Sequence, residues 1–447
     1  MRGYSIARLR KYLAGLLCLP MLFLHILQLP ASAQETALPD ISRANAVYLY
    51  QVENDRVLMK KNADLPIFPA STVKIMTGLV AVEALQGRYS ETVVVTQAMV
   101  DAASGFRMYL NPGENVTVEQ MLYAGLCGGY NDAVVVLAYL VAGSVDAFVV
   151  QMNERAAQLG MLSTVYTNPT GLHNDRMVTT VEDTVRLALT AMENEAYMDI
   201  VSTVKYTMSA NDLAPARTFY NRNFMIARNI TSRYYNSDVT GLNAGTTTEG
   251  GYCVVASAKD EVQDLRYLCI VMGADEDTEA EGGTVYSYRI ANDLLDHAMN
   301  DFGMVCILDT DTVLMTVDVG LSERREALPL VAQEAVTSYL PTDVDASSLN
   351  YRSMLYDETV NAPIKAGDVL GFVTVTYGDT LLATVNLCAA EDVEQSAFLT
   401  GMDQISRYTS DRRFLLSCAY AVLLLFCYFV VLPYLRKRRN RKRAKYF

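Results

Sequence analysis

Hydrophobic and polar positions fall into distinct textures along this chain. Residues 44–60 hold two short apolar runs, Ala46-Val47-Tyr48-Leu49-Tyr50 and Val57-Leu58-Met59, on either side of a polar turn, which predicts an opening β-hairpin. From residue 71 to about 200 apolar positions recur at helical spacing, most clearly over 146–159 and 181–192. The runs Tyr-Cys-Val-Val-Ala-Ser-Ala (252–258) and Tyr-Leu-Cys-Ile-Val-Met-Gly-Ala (267–274) flank a charged turn and predict paired strands, followed by a helix over 286–299. Strands at both ends of a helical middle predict an α+β domain whose sheet is finished by late strands.

From Phe302 the texture changes to short alternating runs at 313–319, 327–335, 369–375 and 381–387, punctuated by Gly, Pro and Asp. This predicts a small all-β, sandwich-like domain over 302–390. Residues 391–411 read as a polar connector.

Both ends carry long apolar runs of different kinds. At the start, Arg2, Arg8, Arg10 and Lys11 precede the apolar stretch 13–29, and Ala31-Ser32-Ala33 offers small residues before Gln34. That is the pattern of a cleaved secretory signal over 1–33. Near the other end, residues 414–435 are apolar over a length that crosses a bilayer. Arg412 and Arg413 flank the run on one side, and eight basic residues from Arg436 to Lys445 on the other. The heavier basic cluster stays in the cytoplasm by the positive-inside rule, which places residues 34–411 outside and makes 412–447 a transmembrane helix with a basic tail. The position of that tail directly after a spanning segment makes it a topology signal, and no nucleic-acid partner is expected.

Charge sharpens the picture. The formal charge is −13; removing the four basic residues of the leader and the ten of 412–447 leaves −27 on the part between. Five cysteines (Cys127, Cys253, Cys269, Cys306, Cys388) fall in that part at irregular spacings without a C-x-x-C, which disfavours a disulfide framework or a zinc site. Buried free thiols are expected, with Cys253–Cys269 left open as a pair. Outside the leader the only histidines are His173 and His297, poor material for a Ser-His-Asp triad. The expected chemistry calls for no metal and no cofactor.

The segment 62–77, Asn-Ala-Asp-Leu-Pro-Ile-Phe-Pro-Ala-Ser-Thr-Val-Lys-Ile-Met-Thr, supplies candidate chemistry. Ser71 stands after Pro69-Ala70 at the start of an apolar helix, and Lys74 lies one turn further on the same face. A serine hydroxyl needs a neighbouring base to become a nucleophile. A lysine among Val73, Ile75, Met76, Leu79 and Val80 is desolvated, which lowers its pKa and frees its amine to take a proton. The four letters alone are not specific: Ser202-Thr203-Val204-Lys205 repeats them, without the Pro-Ala before or the long apolar helix after, and reads as structural.

With these residues the chain resembles the low-molecular-weight penicillin-binding proteins, the D-alanyl-D-alanine carboxypeptidases. The resemblance runs through Asn62-Ala63-Asp64, Pro69-Ala70-Ser71, Lys74-Ile75-Met76-Thr77, Asn131-Asp132-Ala133, Phe148 with Met152-Asn153, Leu159-Gly160-Met161, Asn168-Pro169, Gly171-Leu172, and Thr180 with Asp183. It continues in the second domain through Ala362-Pro363-Ile364, Lys365, Gly367 and Gly371. It implies a β-lactamase/transpeptidase-like α+β domain over 34–301, an antiparallel sheet flanked by helices. It also implies a membrane-anchored serine carboxypeptidase that acts on peptidoglycan stem peptides and is acylated by β-lactams.

Three clustered motifs carry that mechanism. The resemblance gives Ser71 as nucleophile, Lys74 as base and Asn131 as the residue that binds the substrate amide and holds Lys74. It also gives Asn243, Gly245 and Thr246 as substrate-binding residues, with the N–H groups of Ser71 and Thr246 as oxyanion donors. Two positions depart. The Ser of Ser-x-Asn is Gly129, and Lys-Thr-Gly is Asn243-Ala244-Gly245. The first removes a proton relay, a place a water can take. The second removes a cation near the substrate carboxylate, a charge-assisted contact of about 1.5–3 kcal/mol. Arg217, Arg222, Arg228 and Arg233 are the nearest replacements in sequence. Tyr130 as a base and Cys127 as a surrogate nucleophile are weaker readings; Glu249 and the acidic loop 275–281 read as solvated. A degenerate homologue that binds peptidoglycan or partners without turnover is the alternative function. A β-lactamase is a distant third, since no deacylating glutamate motif is recognisable.

Overall fold

A computed structural model describes residues 38–228, 230–277, 282–323 and 327–443. The expected leader lies outside them. The chain divides into two units between Gly303 and Met304.

The first unit is built on a five-stranded antiparallel sheet. Its strands are β1 (Ala46–Gln51), β2 (Arg56–Lys61), β3 (Val239–Thr247), β4 (Gly251–Asp260) and β5 (Leu265–Ala274), in the order β2-β1-β5-β4-β3. The opening hairpin and the two late strands are those the apolar runs predict; β3, which completes the edge, carries polar residues and is less obvious from pattern. Both faces of the sheet are covered. The helix α6 (Tyr286–Asp301) packs on β4 and β5. Tyr48, Tyr50, Cys253, Val255, Leu268 and Ile270 look the other way, into the main core.

That core surrounds one helix. A short 3-10 turn, Ala70–Val73, leads into α1 (Lys74–Ala84), and every residue of α1 from Lys74 to Val82 is buried. A helix that is apolar all round must be wrapped by others. Here it is wrapped by α2 (Asn131–Ala142), α3 (Val145–Gln158), α4 (Val181–Met192) and α5 (Glu195–Val201). Ends of these helices are fixed by local chemistry: the hydroxyls of Ser144 and Thr180 accept hydrogen bonds from the N–H groups of Ala147 and Asp183.

The second unit contains a sheet of β6 (Met315–Val317), β7 (Leu328–Ala332), β8 (Leu349–Leu355), β9 (Val369–Tyr377) and β10 (Thr380–Ala389), in the order β6-β7-β10-β9-β8. Its core includes Leu330, Leu340, Ile364, Val373, Val375 and Leu387. Strands Phe302–Leu308, Val336–Pro341 and Leu349–Leu355 have no counterpart among the predicted runs. In Val336–Pro341 and Leu349–Leu355 the apolar positions are diluted by Thr, Ser, Asn and Arg, whereas Phe302–Leu308 is a nearly continuous apolar run that the predicted runs leave out.

Two expectations need correction. The stretch read as a polar connector holds a helix, α7 (Ala397–Ser410), begun by the Ser396 side chain accepting from the Leu399 N–H. Phe398, Met402 and Ile405 recur at helical spacing and are exposed, a faint stripe that the surrounding polar residues hide. The open Cys253–Cys269 pair does not form, and both thiols are free. Cys269 pairs across the ladder with Ala256, so it faces the side opposite to Cys253 and Val255. Beyond α7, the helix Arg412–Arg439 is long and apolar enough to cross a membrane, the only straight one of that kind among the described residues.

Candidate active site

The turn Ala70–Val73 presents its serine by bending the chain hard. Ala70, immediately before Ser71, has φ +49°, a left-handed conformation that costs an alanine about 1 kcal/mol or more. The Thr72 hydroxyl donates back to the Pro69 carbonyl at 2.6 Å and steadies the turn. Lys74 then follows at the first helical position and folds back under the serine. Its Nζ donates to Ser71 Oγ at 3.2 Å and to the Thr170 carbonyl at 2.7 Å. The lysine is 2% exposed. Burial, followed by the positive charge of Arg222, lowers its pKa to about 7 from the ordinary 10.5. At neutral pH much of the amine is therefore uncharged.

The loop that supplies the Thr170 carbonyl is itself wired in place. Asn168 Oδ1 accepts from the Thr170 N–H, the Thr170 hydroxyl and the Gly171 N–H, while its Nδ2 donates to the Leu172 carbonyl. Pro169 offers its carbonyl to the Thr77 hydroxyl on α1 at 2.7 Å.

A cavity of about 380 Å³ opens above Ser71, within the range of small-ligand sites. Ser71, Lys74, Asn131, Asn243, Gly245 and Thr246 all line it, so the chain brings together every residue predicted for the site. Asn131, at the start of α2, donates from Nδ2 to the Ser104 carbonyl at 2.8 Å; its Oδ1 is buried without a partner. Contrary to the expectation that Asn131 holds Lys74, among the described residues Asn131 makes no hydrogen bond to Lys74, although its Oδ1 is free to accept one; the Lys74 amine donates instead to Ser71 Oγ and to the Thr170 carbonyl. Asn243 lies on β3 with its Oδ1 likewise buried and unpartnered. Both residues line the cavity, and each leaves one buried amide oxygen without a hydrogen-bond partner.

The weaker candidates fall away on geometry. Tyr130 stacks on Phe106 at 4.8 Å and meets Phe219 edge-on, and does not line the cavity. The Cys127 thiol donates to the Thr203 carbonyl and burial pushes its pKa up to about 12, so no thiolate forms. In the second S-x-x-K, the Ser202 hydroxyl bonds to Asp199 and Lys205 is exposed over the Tyr220 ring, away from the cavity. Glu249 lies 3.8 Å from His173 on the surface, and Asp275 pairs with Arg43. No group of three or more His, Cys, Asp or Glu that could hold a metal occurs among the described residues.

The four arginines separate cleanly. Arg217 is bound by Glu114, Arg233 by the carbonyls of Gly282 and Gly283, and Arg228 lies over Tyr235. Arg222 alone of the four lines the cavity. In the sequence Arg222 is one of a set of four, and nothing there points to Thr170, Phe106 or Tyr288, which also line the cavity. A backbone carbonyl such as that of Thr170 leaves no mark in a sequence. The flanking Asn221 and Asn223, both buried, are the one signal that could have singled out Arg222.

Comparison with known proteins agrees in both units. Residues 32–276 match the D-alanyl-D-alanine carboxypeptidase family, and residues 302–395 match the C-terminal domain of penicillin-binding protein 5. The chain is 28% identical over 359 residues to D-alanyl-D-alanine carboxypeptidase DacF of Bacillus subtilis, covering 80% of this chain and 87% of that one. It is 27% identical over 376 residues to D-alanyl-D-alanine carboxypeptidase DacC of Escherichia coli, covering 82% and 88%. Penicillin binding protein 5 from Haemophilus influenzae shares the fold with a TM-score of 0.56 at 24% identity, over 80% of this chain and 99% of that one.

Proposed function

Because the chain belongs to the D-alanyl-D-alanine carboxypeptidase family, we propose that it removes the terminal D-alanine from peptidoglycan stem pentapeptides through an acyl-enzyme on Ser71. The observation that carries this reading is the 3.2 Å contact between Ser71 Oγ and a buried Lys74 whose pKa is lowered to about 7.

In the proposed cycle the neutral Lys74 amine takes the proton of Ser71 as Oγ attacks the carbonyl of the penultimate D-alanine. The N–H groups of Ser71 and Thr246 receive the oxyanion, a role that the motif departures leave untouched because backbone donors remain. Lys74 then returns its proton to the departing amine of the last D-alanine, by way of a water in the cavity. Water attacks the ester as Lys74 accepts its proton, and Lys74 gives that proton to Ser71 Oγ as the C–Oγ bond breaks, which restores the neutral amine and the serine hydroxyl. Asn131 and Asn243 pair with the substrate's amide and carboxylate ends. A β-lactam, whose strained amide opens on the same hydroxyl, acylates Ser71 as an inhibitor.

The helix Arg412–Arg439 supports anchoring in the cytoplasmic membrane. With its basic end inside, both folded units face the cell wall, where the substrate is.

The missing serine and lysine favour a second reading, a homologue that binds stem peptides without turnover. One experiment divides them. Fluorescent penicillin should label the protein covalently, Ser71→Ala should abolish the label, and a pentapeptide should lose D-alanine. Labelling that survives Ser71→Ala overturns the nucleophile; peptide binding without label or release selects the second reading.

A further inference from the structure

We propose that Arg222 is the cation that receives the substrate's terminal carboxylate in this chain, taking over from the lysine absent at position 243. The inference rests on the carboxypeptidase reading for its ligand, and on the following placement for its residue.

The stem of Arg222 lies where residue 129 has no side chain. A Cβ built on Gly129 would stand 3.1 Å from Arg222 Cγ and 3.8 Å from its Cβ. The vacancy in the second motif thus gives the arginine room against the cavity wall. Its guanidinium carbon is 5.1 Å from the Phe106 ring centre and 5.6 Å from that of Phe224, close enough for both aromatic faces to attract it.

Behind the side chain the backbone is pinned. The Arg222 N–H donates to the Cys127 carbonyl at 3.1 Å, and its own carbonyl accepts from the Tyr288 hydroxyl at 3.3 Å. On one side Asn221 Nδ2 donates to the carbonyls of Val201 and Thr203; on the other, Asn223 Nδ2 donates to the Gly241 carbonyl on β3. The last of these ties the arginine's loop to the strand that carries Asn243. The backbone that carries Arg222 is therefore fixed on both flanks.

That charge is unspent. No carboxylate pairs with Arg222 among the described residues, whereas Arg217 has Glu114. A planar guanidinium offers paired N–H donors that match a carboxylate, and Asn243 on the same cavity wall adds an amide donor but no charge. The same charge is felt at the base, being the second cause of the lowered Lys74 pKa. A carboxylate arriving beside Arg222 offsets that field, so substrate binding and base strength are coupled.

The test is binding, measured by calorimetry on the detergent-solubilised full chain carrying Ser71→Ala, with diacetyl-lysyl-D-alanyl-D-alanine and its C-terminal amide as probes. The acid should bind about 10- to 100-fold tighter than the amide, as loss of a charge-assisted contact implies. Adding Arg222→Gln should collapse that preference, Arg222→Lys should keep most of it, and Asn243→Lys on the Arg222→Gln background should bring it back. An acid preference that survives Arg222→Gln with the thermal midpoint unchanged overturns the proposal, and so does equal binding of the two peptides. Turnover is absent from this assay, so its outcome is independent of whether the unmodified chain releases D-alanine, which decides the carboxypeptidase reading.

Discussion

Gly245 lies directly against Ser71: a Cβ on residue 245 would stand 2.4 Å from Ser71 Cβ and 2.8 Å from Ser71 N. The edge strand β3 and the turn that carries Ser71 therefore meet where only hydrogen fits. This explains in steric terms why the glycine of the third motif is present while its lysine and threonine are replaced. Side chains at 243 and 244 are negotiable; bulk at 245 is not.

Gly245→Ala should accordingly separate folding from chemistry. The methyl meets backbone and Cβ atoms, which cannot rotate away, so the strand and the turn must part. Overpacking of this kind costs about 1–3 kcal/mol, and the protein should remain folded. Covalent labelling by fluorescent penicillin should fall by about a hundredfold or more, as misplacement of the reacting group by roughly 1 Å does. Labelling within a few-fold of the unmodified protein would mean that Ser71 is not held by this contact.

On the proposed mechanism the Lys74 amine should set the pH dependence of acylation. Only its neutral form can accept the Ser71 proton, so the second-order rate of penicillin acylation should climb about tenfold per pH unit below about 7 and level off above. Removing the neighbouring positive charge with Arg222→Gln should move the inflection upward. Stability responds as well. The folded-state pKa lies below the ordinary 10.5, so the unfolded chain binds more protons between about 7 and 10.5, and stability rises with pH across that window. Lys74→Met should abolish labelling and flatten this pH dependence in a thermal-melting series. A rate profile that is level from pH 5 to 9 would remove lysine from the base role.

Glu114 and Arg217 form a structural pair outside the cavity. Glu114 is fully buried and accepts from both terminal nitrogens of Arg217, from the Asn111 N–H and from Asn211 Nδ2. Burial would raise its pKa, but these hydrogen bonds outweigh burial and hold it below the usual carboxylate value. Its stabilising contribution is complete above the ordinary value of 4.5 and is lost as pH falls through the lower folded-state value. Glu114→Gln at pH 7 leaves a cation facing an amide and should cost about 3 kcal/mol or more in urea denaturation, as breaking a buried pair does. A loss under about 1 kcal/mol would show that the pair is solvated in solution.

These particulars also show what a reader of the sequence can and cannot reach. The sheet strands β1, β4 and β5 announce themselves because both their faces are buried and their runs are continuously apolar. Ser71 and Lys74 are legible because helical spacing fixes their mutual distance within one turn. Asn131, Asn243 and Gly245 are legible only through a family pattern, since their meeting depends on contacts more than a hundred residues apart in sequence for the strand. The Thr170 carbonyl that holds Lys74 is backbone, with no letter of its own. The helix α7 is hidden by polarity: Phe398, Leu399, Met402, Ile405 and Tyr408 are interspersed with Thr, Gly, Asp, Gln, Ser and Arg, which read as loop.

Restoring the serine of the second motif is the sharpest test of how this site is arranged. If Gly129 were merely a lost helper, Gly129→Ser would return the relay hydroxyl and raise turnover. The geometry predicts otherwise. Gly129 has φ +76°, a conformation that costs a side chain about 1 kcal/mol. The new Cβ would also stand 3.1 Å from Arg222 Cγ, so the arginine stem must shift by a few tenths of an ångström. We expect the thermal midpoint to drop by a few degrees and KM for the free-acid peptide to rise several-fold, with kcat little changed. Adding Asn243→Lys should lower KM again, because the carboxylate then finds its cation on β3 and no longer depends on where Arg222 points. Steady-state D-alanine release from the two variants reads both effects. Higher kcat/KM in Gly129→Ser alone, at an unchanged midpoint, would mean that the serine's vacancy and the arginine's position are unrelated.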